Sequence, residues 1–93
     1  MLSKIPIDLE NVDKESMDKE ILRLGIIAEL DAINLYEQLA DMTENEDIKK
    51  VLMDIANEEK THVGEFLALL LKKDEEQVKE LEKGRREVEE LTE

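Results

Sequence analysis

The sequence predicts an all-α fold: an antiparallel hairpin of two long helices plus a C-terminal helix, completed to a four-helix bundle by dimerisation. Three observations lead there. Apolar residues recur at steps of three and four through two long stretches. Strand signals are absent and the only proline, Pro6, stands near the start, so neither stretch is interrupted. Each stretch carries a continuous apolar stripe, and two helices alone cannot cover both sides of such a pair, which makes association of two chains the economical solution.

The elements follow in order. Residues 1–12 read as an extended tether, because Ile5, Ile7 and Leu9 alternate around Pro6 and the residue before a proline avoids the helical region. Residues 13–93 form the helical domain. Asp13 or Ser16 caps the first helix, which runs through good helix formers from Met17 to Met42. Thr43, followed three residues later by Glu46, has the pattern of a capping box and opens a second helix reaching about Lys73. The stretch from Asp74 to Gln77 repeats that start signal. Beyond it Val78, Leu81, Val88 and Leu91 make a thin stripe, interrupted by Gly84, which predicts a third and less buried helix.

Composition limits the function classes. Leu, Ile, Val and Phe make up 28 of 93 residues, above the floor of about 20% under which a highly charged chain stays disordered. A chain this short leaves much apolar surface uncovered when alone and calls for a staple. With no cysteine, and so no disulfide, thiolate site or iron–sulfur cluster, metal and oligomerisation are the candidates. Acidic residues outnumber basic ones 26 to 13, for a net charge of −13, which repels phosphate backbones and attracts cations. No apolar run approaches the length of about 18 residues needed to span a bilayer, and the start lacks a signal-peptide core. The expectation is a soluble, cytoplasmic protein that binds neither nucleic acid nor membrane.

The chemistry lies where the stripes are broken. On the first helix one narrow face reads Leu22, Ile26, Glu29, Ile33, Tyr36, Ala40, with a carboxylate among apolar residues. On the second it reads Ile48, Leu52, Ile55, Glu59, His62, Phe66, Leu70, with two adjacent polar positions. Glu29, Glu59 and His62 all lie roughly 22 to 26 Å from the turn at ~1.5 Å per residue, and so face one another. A carboxylate losing its hydration there costs several kcal/mol unless a partner compensates. A divalent cation does so directly. Carboxylate-bridged dimetal bundles take one Glu from each of two helices and a Glu-x-x-His pair from each of the other two. This chain supplies half of that set, and a two-fold axis would give four carboxylates and two imidazoles, balancing two divalent ions. The hard carboxylate donors favour iron or manganese.

Taken singly these residues have plainer readings. Glu29 alone would be a seam carboxylate that fixes register, His62 alone an exposed or internally satisfied histidine, and Tyr36 a packing residue rather than a hydrogen-bond donor to a ligating carboxylate. Asp31, Glu58 and Glu65 fall away from the seam and read as solvated, while Met17, Met42 and Met53 read as gap fillers. The coincidence of three polar residues at one height is what favours metal.

The segments Ala28-Glu29-Leu30-Asp31-Ala32-Ile33-Asn34-Leu35-Tyr36 and Asn57-Glu58-Glu59-Lys60-Thr61-His62 resemble the encapsulated ferritin-like proteins of the ferritin and rubrerythrin superfamily. The resemblance covers about residues 17–91 and is especially similar to the archaeal ferritin-like domain fused ahead of an encapsulin shell protein. It implies a ferroxidase with a di-iron centre shared between two chains, the dimers forming a homo-oligomeric ring, typically a decamer, inside an encapsulin nanocompartment. On the matching positions Glu29 would bridge or ligate the irons, Glu59 and His62 would ligate them, and Tyr36 would lie beside the centre. Asp31 keeps one of two acidic positions on the family's metal-uptake path, whereas Ala28 has lost the other. The last residues, Glu90-Leu91-Thr92-Glu93, lack the family's short targeting peptide, so encapsulation would come through a fusion or a removed segment, or would not apply.

The function read from the sequence is therefore oxidation of Fe2+ to Fe3+ by dioxygen, serving iron storage and detoxification in a nanocompartment. The rival readings are a non-catalytic helical oligomerisation or cargo module, and a rubrerythrin-like peroxide reductase. Lack of cysteine removes the usual rubredoxin-type electron route for the latter.

Overall fold

A computed structural model of the chain describes residues 13–93, with only the backbone of Glu15. The helices are α1 (Lys14–Met42), α2 (Glu46–Lys73) and α3 (Glu75–Thr92), with no strand among the described residues. The expected tether over residues 1–12 lies outside the described residues. No helix is long and apolar enough to cross a membrane among those described.

α1 begins at Asp13, whose carbonyl accepts the Ser16 amide at 3.0 Å while its side chain makes no capping bond. The helix closes at Thr43, whose N–H returns to the Leu39 carbonyl at 3.2 Å. The start of α2 corrects the expected capping box. Asn45 is the N-cap, and its Oδ1 accepts the amides of Asp47 and Ile48, both at 3.0 Å. Thr43 Oγ1 instead accepts the Asn45 amide inside the turn. Asn ranks with the strongest N-cap residues and here serves two otherwise orphaned amides, so it displaces the threonine two positions earlier. Glu46 and Asp47 in the first turn of α2, with Lys72 and Lys73 in its last, complement the helix dipole.

Asp74 alone separates α2 from α3. Its backbone (φ −138°, ψ 87°) leaves the helical region for one residue, and its Oδ1 caps α3 by accepting the Gln77 amide at 3.0 Å. Its Oδ2 accepts Nη2 of Arg23 on α1, also at 3.0 Å. The hydrogen bond from Gln77, joined by the charges of Lys19 and Arg23, holds the carboxyl below its ordinary range against the opposing effect of burial. The direction in which α3 leaves the hairpin is thus tied to α1. α3 itself buries no residue; Arg85 pairs with Glu82 and Glu89 along its solvent face, and the helix continues through Gly84.

The core is thin. Leu22, Ile33 and Ala40 of α1 and Ala56 and Leu70 of α2 are its buried apolar members, and no large side chain is fully enclosed. Most of the predicted stripe is inward, but Ile48 is 51% exposed, because at the turn end only two helices are present to cover it. Ile21, Ile27, Leu30, Val51 and Leu69 are exposed as well. The antiparallel register is constant through the part of the hairpin that matters. Lys73 pairs with Asp18 at 3.6 Å, Phe66 lies against Gly25, and His62 approaches Glu29 at 3.4 Å. Steps of seven and four residues up α1 are matched by seven and four down α2.

Candidate metal centre

α1 contributes one carboxylate, Glu29, and α2 contributes Glu59 and His62, one turn apart and on one face. One ligand atom from each of the three lies within 4.8 Å of the others, the only such cluster among the described residues. His62 Nδ1 is the nitrogen turned inward, 3.3 Å from Glu59 Oε2 and 3.4 Å from Glu29 Oε2. The carboxylates are largely covered, with side chains 18% (Glu29) and 19% (Glu59) exposed, and the imidazole is more open.

The hydrogen bonding is incomplete. Nδ1 carries at most one proton, and its directed contact is with Glu59. Glu29 Oε2 is therefore close to a nitrogen without receiving a hydrogen bond, and it is buried from water with no donor. An ionised oxygen in that position is costly, and a cation held between it, Glu59 and Nδ1 removes the cost. Two carboxylate oxygens and one imidazole nitrogen suit Fe2+, Mn2+ or Zn2+. Three protein donors leave a divalent ion with open coordination positions, as expected of half of a dimetal set.

An open cavity of about 350 Å3 adjoins the cluster, lined by Glu29, His62, Glu65, Phe66 and Leu69. Phe66 and Leu69 give it apolar walls. Phe66 is a seam residue of α2 by its spacing, but nothing in the sequence links it or Leu69 to the site.

The other expected residues stand apart from the three. Tyr36 is half-buried on α1, two turns and ~10 Å along the axis from Glu29. Asp31, two positions beyond Glu29, lies on a different side of α1, where it is half-buried and engaged by a neighbour. Glu58 and Glu65 are exposed, as expected. The Arg23–Asp74 pair had no signal in the sequence beyond the capping position of Asp74.

A sequence profile of the rubrerythrin family matches residues 20–93. The chain is 67% identical over 73 residues to a ferritin-like–encapsulin shell fusion protein of Pyrococcus furiosus, a match covering 78% of this chain and 21% of that protein. It is 44% identical over 69 residues to the encapsulin nanocompartment cargo protein EncC of Myxococcus xanthus, covering 71% of this chain and 53% of EncC. The matches thus span about a fifth and about half of these two relatives. The crystal structure of the encapsulated ferritin domain from Pyrococcus furiosus superposes with a TM-score of 0.85 at 56% identity, covering 99% of this chain and 96% of that one.

Proposed function

The chain belongs to the rubrerythrin family of ferritin-like proteins, and from that premise we propose that it is a ferroxidase, oxidising Fe2+ with dioxygen at a di-iron centre shared between two copies. The observation that carries this reading is the buried Glu29 Oε2, an acceptor with no donor, inside the cluster with Glu59 and His62. A second copy related by a two-fold axis doubles the ligand set and closes the four-helix bundle over the uncovered apolar residues.

In this mechanism Glu29 and Glu59 would hold the cations together with His62, and Glu29 brings the carboxylate oxygen that has no donor of its own. His62 would offer Nδ1 as a neutral donor atom, in the tautomer that carries its one ring proton on Nε2. Bound Fe2+ supplies one electron from each of two ions, enough to take O2 to the level of peroxide. A second copy covering the open cavity beside Phe66 and Leu69 would limit water at the cluster and so strengthen the attraction between carboxylates and cation. The family resemblance implies a place beside the centre for Tyr36 and one on the metal-uptake path for Asp31, although within one chain Tyr36 stands ~10 Å along α1 from Glu29 and Asp31 lies on another side of that helix.

The names of the Pyrococcus furiosus and Myxococcus xanthus relatives support an encapsulin shell as partner, with the chain held inside a nanocompartment; a ring of about ten copies built from dimers rests on the family resemblance alone. Retention of ferric product by such a shell serves storage and detoxification.

The test is anaerobic addition of Fe2+ followed by air, with ferric absorbance and native mass recorded together. Rapid oxidation at about one iron per chain in an assembled species is expected. Oxidation at the buffer rate with unchanged mass would leave a helical oligomerisation or cargo module as the better account. Consumption of H2O2 in preference to O2 per iron oxidised would move the assignment to a peroxide reductase.

A further inference from the structure

We propose that Phe66, seated on the bare backbone of Gly25, is a positioning residue that sets the separation of α1 and α2 at the metal cluster; the inference rests on the reading of Glu29, Glu59 and His62 as metal ligands. Gly25 stands one turn before Glu29, and Phe66 one turn after His62, so their contact is the next step of the hairpin register. A Cβ built on Gly25 would lie 3.1 Å from both Cδ2 and Cε2 of Phe66 and 3.2 Å from Cδ1. Near-equal distances to three ring atoms mean that the face of the ring, rather than its edge, occupies the place of the missing side chain.

Backbone conformation does not explain this glycine. None of the described glycines has a positive φ, and glycine in a helix interior is inferior to any residue but proline. Space does explain it. Gly64 and Gly84 have nothing within 4 Å of an added Cβ, whereas at Gly25 a methyl group would force the ring to give by a few tenths of an ångström. The ring also lines the cavity beside Glu29 and His62, so displacing it either widens the gap between the helices or pushes it into the cavity. Glu29 and His62 are 3.4 Å apart, and a change of that size decides whether one cation meets both.

The test is a double-mutant cycle in the full chain, read by Co2+ titration calorimetry, the Co2+ visible absorption bands and the melting temperature of the metal-free protein. Glu29→Gln comes first: the parent binding Co2+ and this variant failing to do so establishes the ligand reading independently. Parent-like binding by Glu29→Gln, or no binding by the parent, would overturn that reading and the positioning role with it.

With the ligands established, Gly25→Ala is expected to weaken Co2+ binding by roughly tenfold or more, the scale seen for residues behind metal ligands, with altered absorption bands. Phe66→Leu, which introduces no clash, is expected to weaken it also. The double variant, where the added methyl meets the smaller leucine, should bind more tightly than Gly25→Ala. Gly64→Ala is the control in open space and should leave the Co2+ spectrum unchanged. Parent-like Co2+ affinity and bands in both single variants, or simply additive losses in the double variant, would overturn the proposal. If Gly25→Ala does not fold, Phe66→Leu decides alone: weakened binding with altered bands supports the role, and parent-like binding refutes it.

Discussion

Glu29 Oε2 stands 3.4 Å from Nδ1 of His62 on the neighbouring helix and receives no hydrogen bond from it. The directed contact of that nitrogen is with Glu59 Oε2, at 3.3 Å, instead. A protein built only for stability would place a donor or an apolar group there, since removing both partners of such a contact is nearly neutral while orphaning one is not.

Replacing Glu29 by Gln should therefore stabilise the metal-free protein, by about 1 to 2 kcal/mol, because a desolvated charge is exchanged for a neutral group of the same shape. The melting temperature should rise by several degrees. Metal should do the reverse: a cation at about 100 times its dissociation constant adds roughly 2.7 kcal/mol to the parent and almost nothing to the variant. Thermal melts with and without Fe2+ under anaerobic conditions check both signs.

Ala56 has no exposed surface and Ala40 almost none. Ala56→Leu should cost about 1 to 3 kcal/mol by overpacking the contact between α1 and α2. Denaturant unfolding of the metal-free chain measures it. A cost near zero would mean that the helices part easily at that level.

The corrected cap makes an unequal pair of outcomes. Asn45→Ala should lose about 1 kcal/mol, since two amides of α2 lose their acceptor. Thr43→Ala should lose less than about 0.5 kcal/mol, since the one side-chain hydrogen bond it removes is solvent-exposed and lies within the turn. Equal losses would restore the threonine as the cap.

Asp74 predicts a pH dependence of known sign. Its folded pKa is depressed, so the stability it lends to the start of α3 is fully present above the ordinary value of about 3.9 and is lost as pH falls through the lower folded value. Amide exchange of α3 should accelerate in acid before that of α1 and α2. Asp74→Asn, which keeps a capping oxygen but cannot titrate, should remove that acid dependence.

The sequence made the three helices and the grouping of Glu29, Glu59 and His62 legible for one reason: both depend on periodicity. Seam steps of three and four put Glu29 and His62 on facing stripes, and distance from the turn put them at one height. What escaped has no periodic signal. Thr43 and Asn45 are both acceptable caps, and only the geometry of the turn selects between them. Arg23 and Asp74 are 51 residues apart and meet because one residue redirects the chain. Gly25 is invisible to hydropathy, so its contact with Phe66 appears only once the helices are packed. Ile48 follows the pattern and is still exposed, since a stripe states which side is apolar and not whether anything covers it. The tether expected over residues 1–12 falls outside the described residues.

The shared register of Asp18 with Lys73, Gly25 with Phe66 and Glu29 with His62 has a mechanical corollary. Sliding one helix past the other by a single turn, ~5.4 Å, would part all three pairs at once, with no intermediate stop that keeps some of them. A slide of one turn is consequently all-or-none along this stretch: the motion that parts Glu29 from His62 also parts Gly25 from Phe66 and Asp18 from Lys73.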